Sequence, residues 1–187
     1  MVHDPQPALL IGRRKTGKWV WRCHIDLSNP QKEVYDLISR HSKKYDAAIF
    51  SVAKFASTMN MDEFSIAPSI GPLSEKNMDL SEAEIHETLN RFRIPADRPS
   101  ILQVSRFDRF KDPSGVIKAY RIVKKYNDCV LVLAESTAAD DPEGDAVLKE
   151  VREHAEDDPD SFILPLPVSS DKEINALQRA AAVVLQK

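Results

Sequence analysis

From residue 99 onward, short apolar runs alternate with capped helical patterns, and this alternation restricts the fold more than any other feature of the chain. Residues 101–104, 130–134 and 162–164 are apolar runs of strand length, and residues 145–154 and 171–181 read as the intervening helices. Asp112-Pro113 opens a further helix, with an N-cap residue followed by a first-turn proline. Its expected buried side is Val116, Ile117, Tyr120, Ile122 and Val123. Strand–helix alternation of this kind makes a parallel sheet covered on both faces, with ligands at the carboxyl ends of its strands. Val183-Val184-Leu185 begins one more strand.

The first part of the chain has the same character with weaker punctuation. Residues 18–23 predict a strand with Trp19, Trp21 and Cys23 on one face and Val20 and Arg22 on the other. Ser28-Asn29-Pro30 starts a helix carrying the stripe Val34, Leu37, Ile38 and His41, and the Lys43-Lys44 pair suits its carboxyl end. Strands are expected over 47–52 and 64–70. Residues 71–77 are a polar, turn-rich connection, and Ser81 with Glu84 has capping-box spacing for a helix over 81–93. The organisation expected is residues 1–80 as the later part of one domain, 81–98 as connection and helix, and 99–187 as the first part of a second. Met1 to Pro7 reads as a polar loop with no strand before it, which suggests residues missing upstream.

Charge narrows the partners. With 26 basic and 29 acidic residues, net −3, there is no electrostatic footprint for nucleic acid or an anionic membrane. No apolar run approaches membrane-spanning length and no signal core opens the chain, so a cytoplasmic protein is expected. Cys23 and Cys129 lie far apart inside apolar runs, as buried thiols in a reducing compartment would.

Two segments carry candidate chemistry. After the strand over 101–104, Ser105-Arg106-Phe107-Asp108-Arg109-Phe110-Lys111-Asp112 places Arg106 at a strand end and Lys111 just ahead of a helix. Two cations so held can meet a diphosphate from different sides and stabilise the charge that grows on it as a leaving group. Spacing alone favours the plainer alternative, a solvated basic loop pairing with Asp108 or Asp112. The second segment, Trp21-Arg22-Cys23-His24-Ile25-Asp26, sends Arg22, His24 and Asp26 to one side of an extended backbone, where they could bond sugar hydroxyls or a reacting centre. A lone histidine at a strand end is more often structural. His3-Asp4 beside two prolines is a weaker candidate. Asp140-Asp141-Pro142-Glu143-Gly144 lacks the ligand alternation of a calcium loop and reads as a turn; no metal cluster stands out.

Four stretches taken together resemble a known family: His3-Asp4-Pro5-Gln6-Pro7; Trp19 through Pro30, with its W-R-C-H-I-D-L-S-N string; Pro68-Ser69-Ile70 with Pro72-Leu73-Ser74-Glu75-Lys76-Asn77; and Gln103 through Asp108 with Lys111-Asp112. They are similar to trehalose synthases of the glycosyltransferring type, family-4 retaining glycosyltransferases of GT-B architecture. The W-R-C-H and P-L-S-E-K-N strings are specific to that family, whereas S-R-F-x-x-x-K is shared more widely.

The resemblance implies an α/β fold containing parts of two Rossmann-like domains, with parallel sheets flanked by helices. It implies transfer of glucose from a nucleotide-diphosphate-glucose donor to free glucose, giving trehalose with retention, without cofactor or metal. It places Arg106 and Lys111 on the donor diphosphate, and gives His24 and Asp26 the catalytic positions. His3, Asp4 and Arg22 would line the cleft, and Pro165, Leu166, Pro167, Val168 and Ser169 would lie near the nucleotide base. A homodimer of the full-length parent is compatible with it. The family continues past this point with an Arg-Glu-Gly-Phe-Gly stretch and a further Glu, and has strands before His3, so a piece lacking both ends, inactive alone, is expected. Gly71 stands where the family has Asp, and Glu135-Ser136 replaces a Gly-containing strand end. The alternatives are a non-catalytic module that binds a nucleoside diphosphate or pairs with a full-length subunit, and a reading frame with no role of its own.

Overall fold

Valine and leucine alternate through residues 130–133, followed by Ala134, without polar interruption, and the strand they begin is buried on both faces. In the computed structural model, which describes residues 1–56, 61–136, 142–155 and 158–186, this strand is β6, Val130–Ser136. The expected turn at Asp140-Asp141 lies outside the described residues. Leu131 and Leu133 of β6 face a cluster with Phe107, Ile117, Tyr120, Val147 and Val151. Val130, Val132 and Ala134 face the opposite cluster, with Leu89, Leu102, Ile174 and Leu177. Continuous burial of this kind marks a parallel strand sandwiched between helices.

The chain divides into two compact units, Met1–Ile70 and Gly71–Lys187. In the second, the parallel sheet has the order β7-β6-β5-β8, where β5 is Ser100–Val104, β7 is Ser161–Leu166 and β8 is Val183–Leu185. The strand order therefore reverses at β5, and the crevice outside its carboxyl end is the topological switch point at which open α/β sheets bind ligands. Helices α3 (Pro113–Lys124) and α4 (Pro142–Ala155) cover one face. Helices α2 (Glu82–Arg91) and α5 (Asp171–Ala180) cover the other. In α3 the expected stripe is half right: Pro113, Val116, Ile117 and Tyr120 are buried, while Ile122 is 61% exposed and Val123 also faces water. A period of 3.6 places position 122 opposite the 113–116–117–120 stripe.

Segment 71–79 is fastened within this unit. The Gly71 carbonyl accepts from Ser74 Oγ (2.7 Å) and Asn77 Nδ2 (3.1 Å), and Asn175 and Arg179 of α5 both donate to the Met78 carbonyl. The capping box forms: Ser81 N donates to Glu84 Oε2 at 2.8 Å, and Glu84 N donates back to Ser81 Oγ. Lys172, with the Ser81 groups, holds the Glu84 carboxyl down to about 2. Ser81→Ala is expected to cost about 1 kcal/mol, read as a lowered urea midpoint at unchanged slope.

The first unit is a four-stranded parallel sheet in sequential order: β1 (Val2–His3), β2 (Val20–Cys23), β3 (Ala47–Phe50) and β4 (Asp62–Ser65). A short strand thus does hold His3. Trp21 and Cys23 point into the core with Tyr45, Ala48 and Phe50, beneath the 3-10 helix Gln6–Arg13 and α1 (Lys32–Ser42). Cys23 and Cys129 are free, buried thiols. The buried side of α1 differs from the expected stripe: Ser39 and Ser42 are buried, with Tyr35 and Ile38 beside the core, while Val34 and Leu37 are exposed. α1 packs on the 3-10 helix, where small side chains admit a close approach. β4 begins two residues before the expected 64–70 run and ends at Ser65, where β3, its one partner among the described residues, ends at Phe50.

Candidate functional site

The loop at residues 105–112 leaves β5 at the switch point, and its form follows from what it buries. Ser105 N continues the sheet by donating to the Ala134 carbonyl (3.1 Å). Phe107 then turns inward as a plug of the α3–α4 core, 2% exposed, while Arg106 on one side and Phe110 beyond stay in solvent. Asp108 caps the following 3-10 turn, Arg109–Lys111, its Oδ1 accepting from Lys111 N at 2.9 Å. Asp112 takes a left-handed backbone (φ 48°) and caps α3 through Gly115 N (3.0 Å). Gly115 is required there, because a Cβ would collide with the Asp112 carboxylate.

Arg106 and Lys111 therefore sit on one anchored loop. Arg106 pairs with Asp108 (3.3 Å), as the plainer reading expected, but its side chain is 68% exposed. An ion pair so solvated is weak enough for an anion to displace. Arg109 is drawn away to Glu150 of α4 (2.7 Å). Leu166 closes β7 as a buried residue; Pro165 and Pro167 to Ser169 are exposed, and Ser170 N donates to the Pro167 carbonyl before α5. Val104, Ala134 and Leu164 share a register level, so the Arg106 loop and the Pro167 turn emerge at the same end of the sheet.

In the first unit, the carboxyl ends of β1 and β2 bring His3, Asp4, Arg22 and His24 together. Register pairs His3 with Arg22, and Asp4 N donates to the Arg22 carbonyl at 2.8 Å. Asp4 has φ 67°, and its carbonyl accepts from Trp21 Nε1 at 2.9 Å, so both of its backbone polar groups are tied down. Such over-determination is how a strained conformation persists. His3 Nδ1 lies 2.9 Å from His24 Nε2, with the ring planes 17° apart. One nitrogen must donate and the other accept, so this contact requires at least one neutral imidazole. Arg22 reaches across β3 to donate to the Ile66 carbonyl (3.1 Å).

Asp26 is joined to Ser28 rather than to either imidazole. Its Oδ1 accepts from Ser28 N (2.8 Å), and the Ser28 hydroxyl and N–H hold its carboxyl below the usual range. That suits an acceptor of hydroxyl hydrogens better than a proton donor. It lines a cavity of about 310 Å³ with Trp21, Ile25, Asn29 and Tyr35. Among the described residues, no three His, Cys, Asp or Glu side chains could hold a metal ion, and no helix is long and apolar enough to cross a membrane.

Residues 1–57 match the family model "Trehalose synthase, N-terminal domain". Trehalose synthase of Thermococcus litoralis is 44% identical over 191 aligned residues that include all of this chain, and that of Rubrobacter xylanophilus is 41% identical over 194. Over its whole length the chain is similar to the trehalose synthases. It spans about half the length of these curated relatives, 46% of the first and 47% of the second.

The fold is likewise that of GT-B glycosyltransferases. An alpha,alpha-trehalose-phosphate synthase (UDP-forming) from Burkholderia vietnamiensis superimposes with a TM-score of 0.73 at 14% identity, covering 100% of this chain and 51% of that one. Sucrose-phosphate synthase from Thermosynechococcus elongatus gives 0.68 at 13% identity, covering 97% and 48%. The groups that the residue pattern did not single out are the anchors of the cationic loop. Gln103 donates to the Lys111 carbonyl (2.8 Å), and Glu135 accepts from Phe107 N (2.6 Å). A glutamine inside an apolar strand and a carboxylate directly after Val-Leu-Val-Leu-Ala were the available signals.

Proposed function

We propose that this sequence serves retaining glucosyl transfer, from a nucleotide-diphosphate-glucose donor to free glucose, with trehalose as product. The observation that carries the reading is the alignment of the whole chain with trehalose synthases at 41–44% identity. Arg106 and Lys111, on the loop at the switch point, would bind the donor diphosphate and offset the charge it gains on leaving, without a metal or cofactor. Residues 165–169 would lie beside the nucleotide base. His24 with Asp26 would be the catalytic pair, and His3, Asp4 and Arg22 would complete the sugar-facing surface of the first unit.

Calorimetric titration with ADP and with UDP tests the donor half. Arg106→Ala is expected to weaken whichever nucleotide binds by about tenfold or more, since a charge-assisted bond to phosphate is lost. Unchanged affinity in that variant would remove Arg106 from the reading. A second reading is a module that binds a nucleoside diphosphate without turnover, for which the loop at residues 105–112 would suffice. Incubation with nucleotide-glucose and glucose separates the two: trehalose formation supports the first, binding without product the second.

A further inference from the structure

Among the buried polar side chains of the second unit, Gln103 and Glu135 each reach from a strand to make a hydrogen bond with the backbone of the loop at 105–112. Gln103, 3% exposed, projects from β5 and donates through Nε2 to the Lys111 carbonyl at 2.8 Å. Glu135, 4% exposed, stands at the carboxyl end of β6 and accepts from Phe107 N at 2.6 Å. A buried carboxylate is costly, and a short bond from a backbone N–H to it is among the stronger ones available. Sequence made Glu135 a departure from the family's glycine-containing strand end; the structure gives that departure a task.

We infer that Glu135 and Gln103 are positioning residues for the two cations of the loop, Glu135 fixing the Arg106-Phe107 turn and Gln103 fixing Lys111. The inference deepens the donor-diphosphate reading and rests on it. The loop leaves β5 at Ser105 and enters α3 after Asp112; between these points Arg106 has no secondary structure to orient it, and Lys111 is the last residue of a single 3-10 turn. Phe107 seats the turn in the core but fixes only its depth. The bond to Glu135 fixes the peptide plane next to Arg106, and with it the direction in which the guanidinium leaves the backbone. Gln103 does the same for Lys111 at the far end, and Asp108 ties Lys111 N from the side. An ionised Glu135 would also set a negative charge beside the loop, ordering the cations at some cost in anion affinity.

Glu135→Gln keeps an acceptor for Phe107 N and removes the charge, while Glu135→Ala removes both. In the free protein, NMR-resolved hydrogen exchange at the Phe107 amide is expected to accelerate at least tenfold in Glu135→Ala and to stay slow in Glu135→Gln. ADP affinity is expected to fall about tenfold in Glu135→Ala and to rise severalfold in Glu135→Gln. On an Arg106→Ala background, Glu135→Ala is expected to cost little more, because its effect runs through Arg106; damage to the fold in general would cost the same on both backgrounds. Gln103→Leu is expected to behave likewise against Lys111→Ala. Unchanged Phe107 exchange in Glu135→Ala, or fully additive losses of ADP affinity, would overturn the positioning role. An exchange pattern as expected, with ADP bound by none of these proteins, would instead overturn the diphosphate reading and leave the anchoring of Phe107 standing.

Discussion

Trp21→Ala is expected to unfold the first unit at temperatures where the unsubstituted protein is folded. Trp21 is fully buried, packs edge-on against Phe50 with ring centroids 6.1 Å apart, and donates Nε1–H to the Asp4 carbonyl. Removing such a side chain leaves a cavity and costs about 3–5 kcal/mol. The unit runs only from Met1 to Ile70. Stability of roughly 0.05–0.15 kcal/mol per residue gives it roughly 4–10 kcal/mol to lose. The substitution also orphans the Asp4 carbonyl, which helps hold a backbone at φ 67°. Collapse of amide dispersion for residues 1–70, with the signals of residues 71–187 retained, is the expected spectrum. Trp21→Phe is the milder companion: the core refills in part, and the lost bond to Asp4 should disturb His3 and His24 more than the fold. A dispersed spectrum and an unchanged urea midpoint for Trp21→Ala would contradict this account of the core.

Trp21 also shows what the sequence made legible. Alternation over residues 18–23 placed Trp21 and Cys23 inside because a strand has a period of two, and nothing in the tertiary structure competes with that pattern. The strands and helices from residue 81 onward were legible for a related reason: continuous apolar runs, Asp112-Pro113 and the Ser81–Glu84 box are local signals with local causes. Where a face depends on what packs against it, the reading slipped. In α1, which packs on a 3-10 helix, Val34 and Leu37 face outward while Ser39 and Ser42 are buried. β4 stops at Ser65 because the strand it pairs with, β3, stops at Phe50. At the candidate site, the residues that carry charge or imidazole could be nominated from their places at strand ends. The residues that hold them could not be paired, because Gln103 meets Lys111, and Glu135 meets Phe107, only once β5 and β6 lie side by side.

Asp160→Asn is expected to lower the thermal midpoint at neutral pH by several degrees and to flatten the acid dependence of stability. Asp160 lies just ahead of β7, where its carboxylate accepts from both Arg98 Nη atoms (2.6 and 2.9 Å) and meets Lys124 Nζ at 3.0 Å. Asp158 binds the same ammonium at 2.8 Å, and Arg98 also reaches Asp128, so the beginnings of β5, β6 and β7 are stapled by one charge cluster. Arg98, then Lys124, hold the Asp160 carboxyl well below the ordinary carboxylate range; for Asp158, burial pulls upward and is outweighed only by Lys124, the Asp160 N–H and the Ser161 hydroxyl together.

A carboxyl group with a folded value below its unfolded one adds stability that is complete above the unfolded value, near pH 4, and is lost as the pH falls from there toward the folded value. Thermal midpoints measured at pH 7, 5, 4 and 3 should be nearly level down to pH 5 and then drop, with a shallower drop in Asp160→Asn. Equal slopes between pH 4 and 3 in the two proteins would show that the staple contributes no linkage. The cluster sits at the amino ends of the strands, opposite the end that carries Arg106 and Lys111. Asp160→Asn should therefore leave ADP affinity unchanged at a temperature where the unit is folded, the reverse of Glu135→Ala, in which binding falls through a loop anchor. Stability and ligand recognition in this unit are then separable by which end of the sheet is altered.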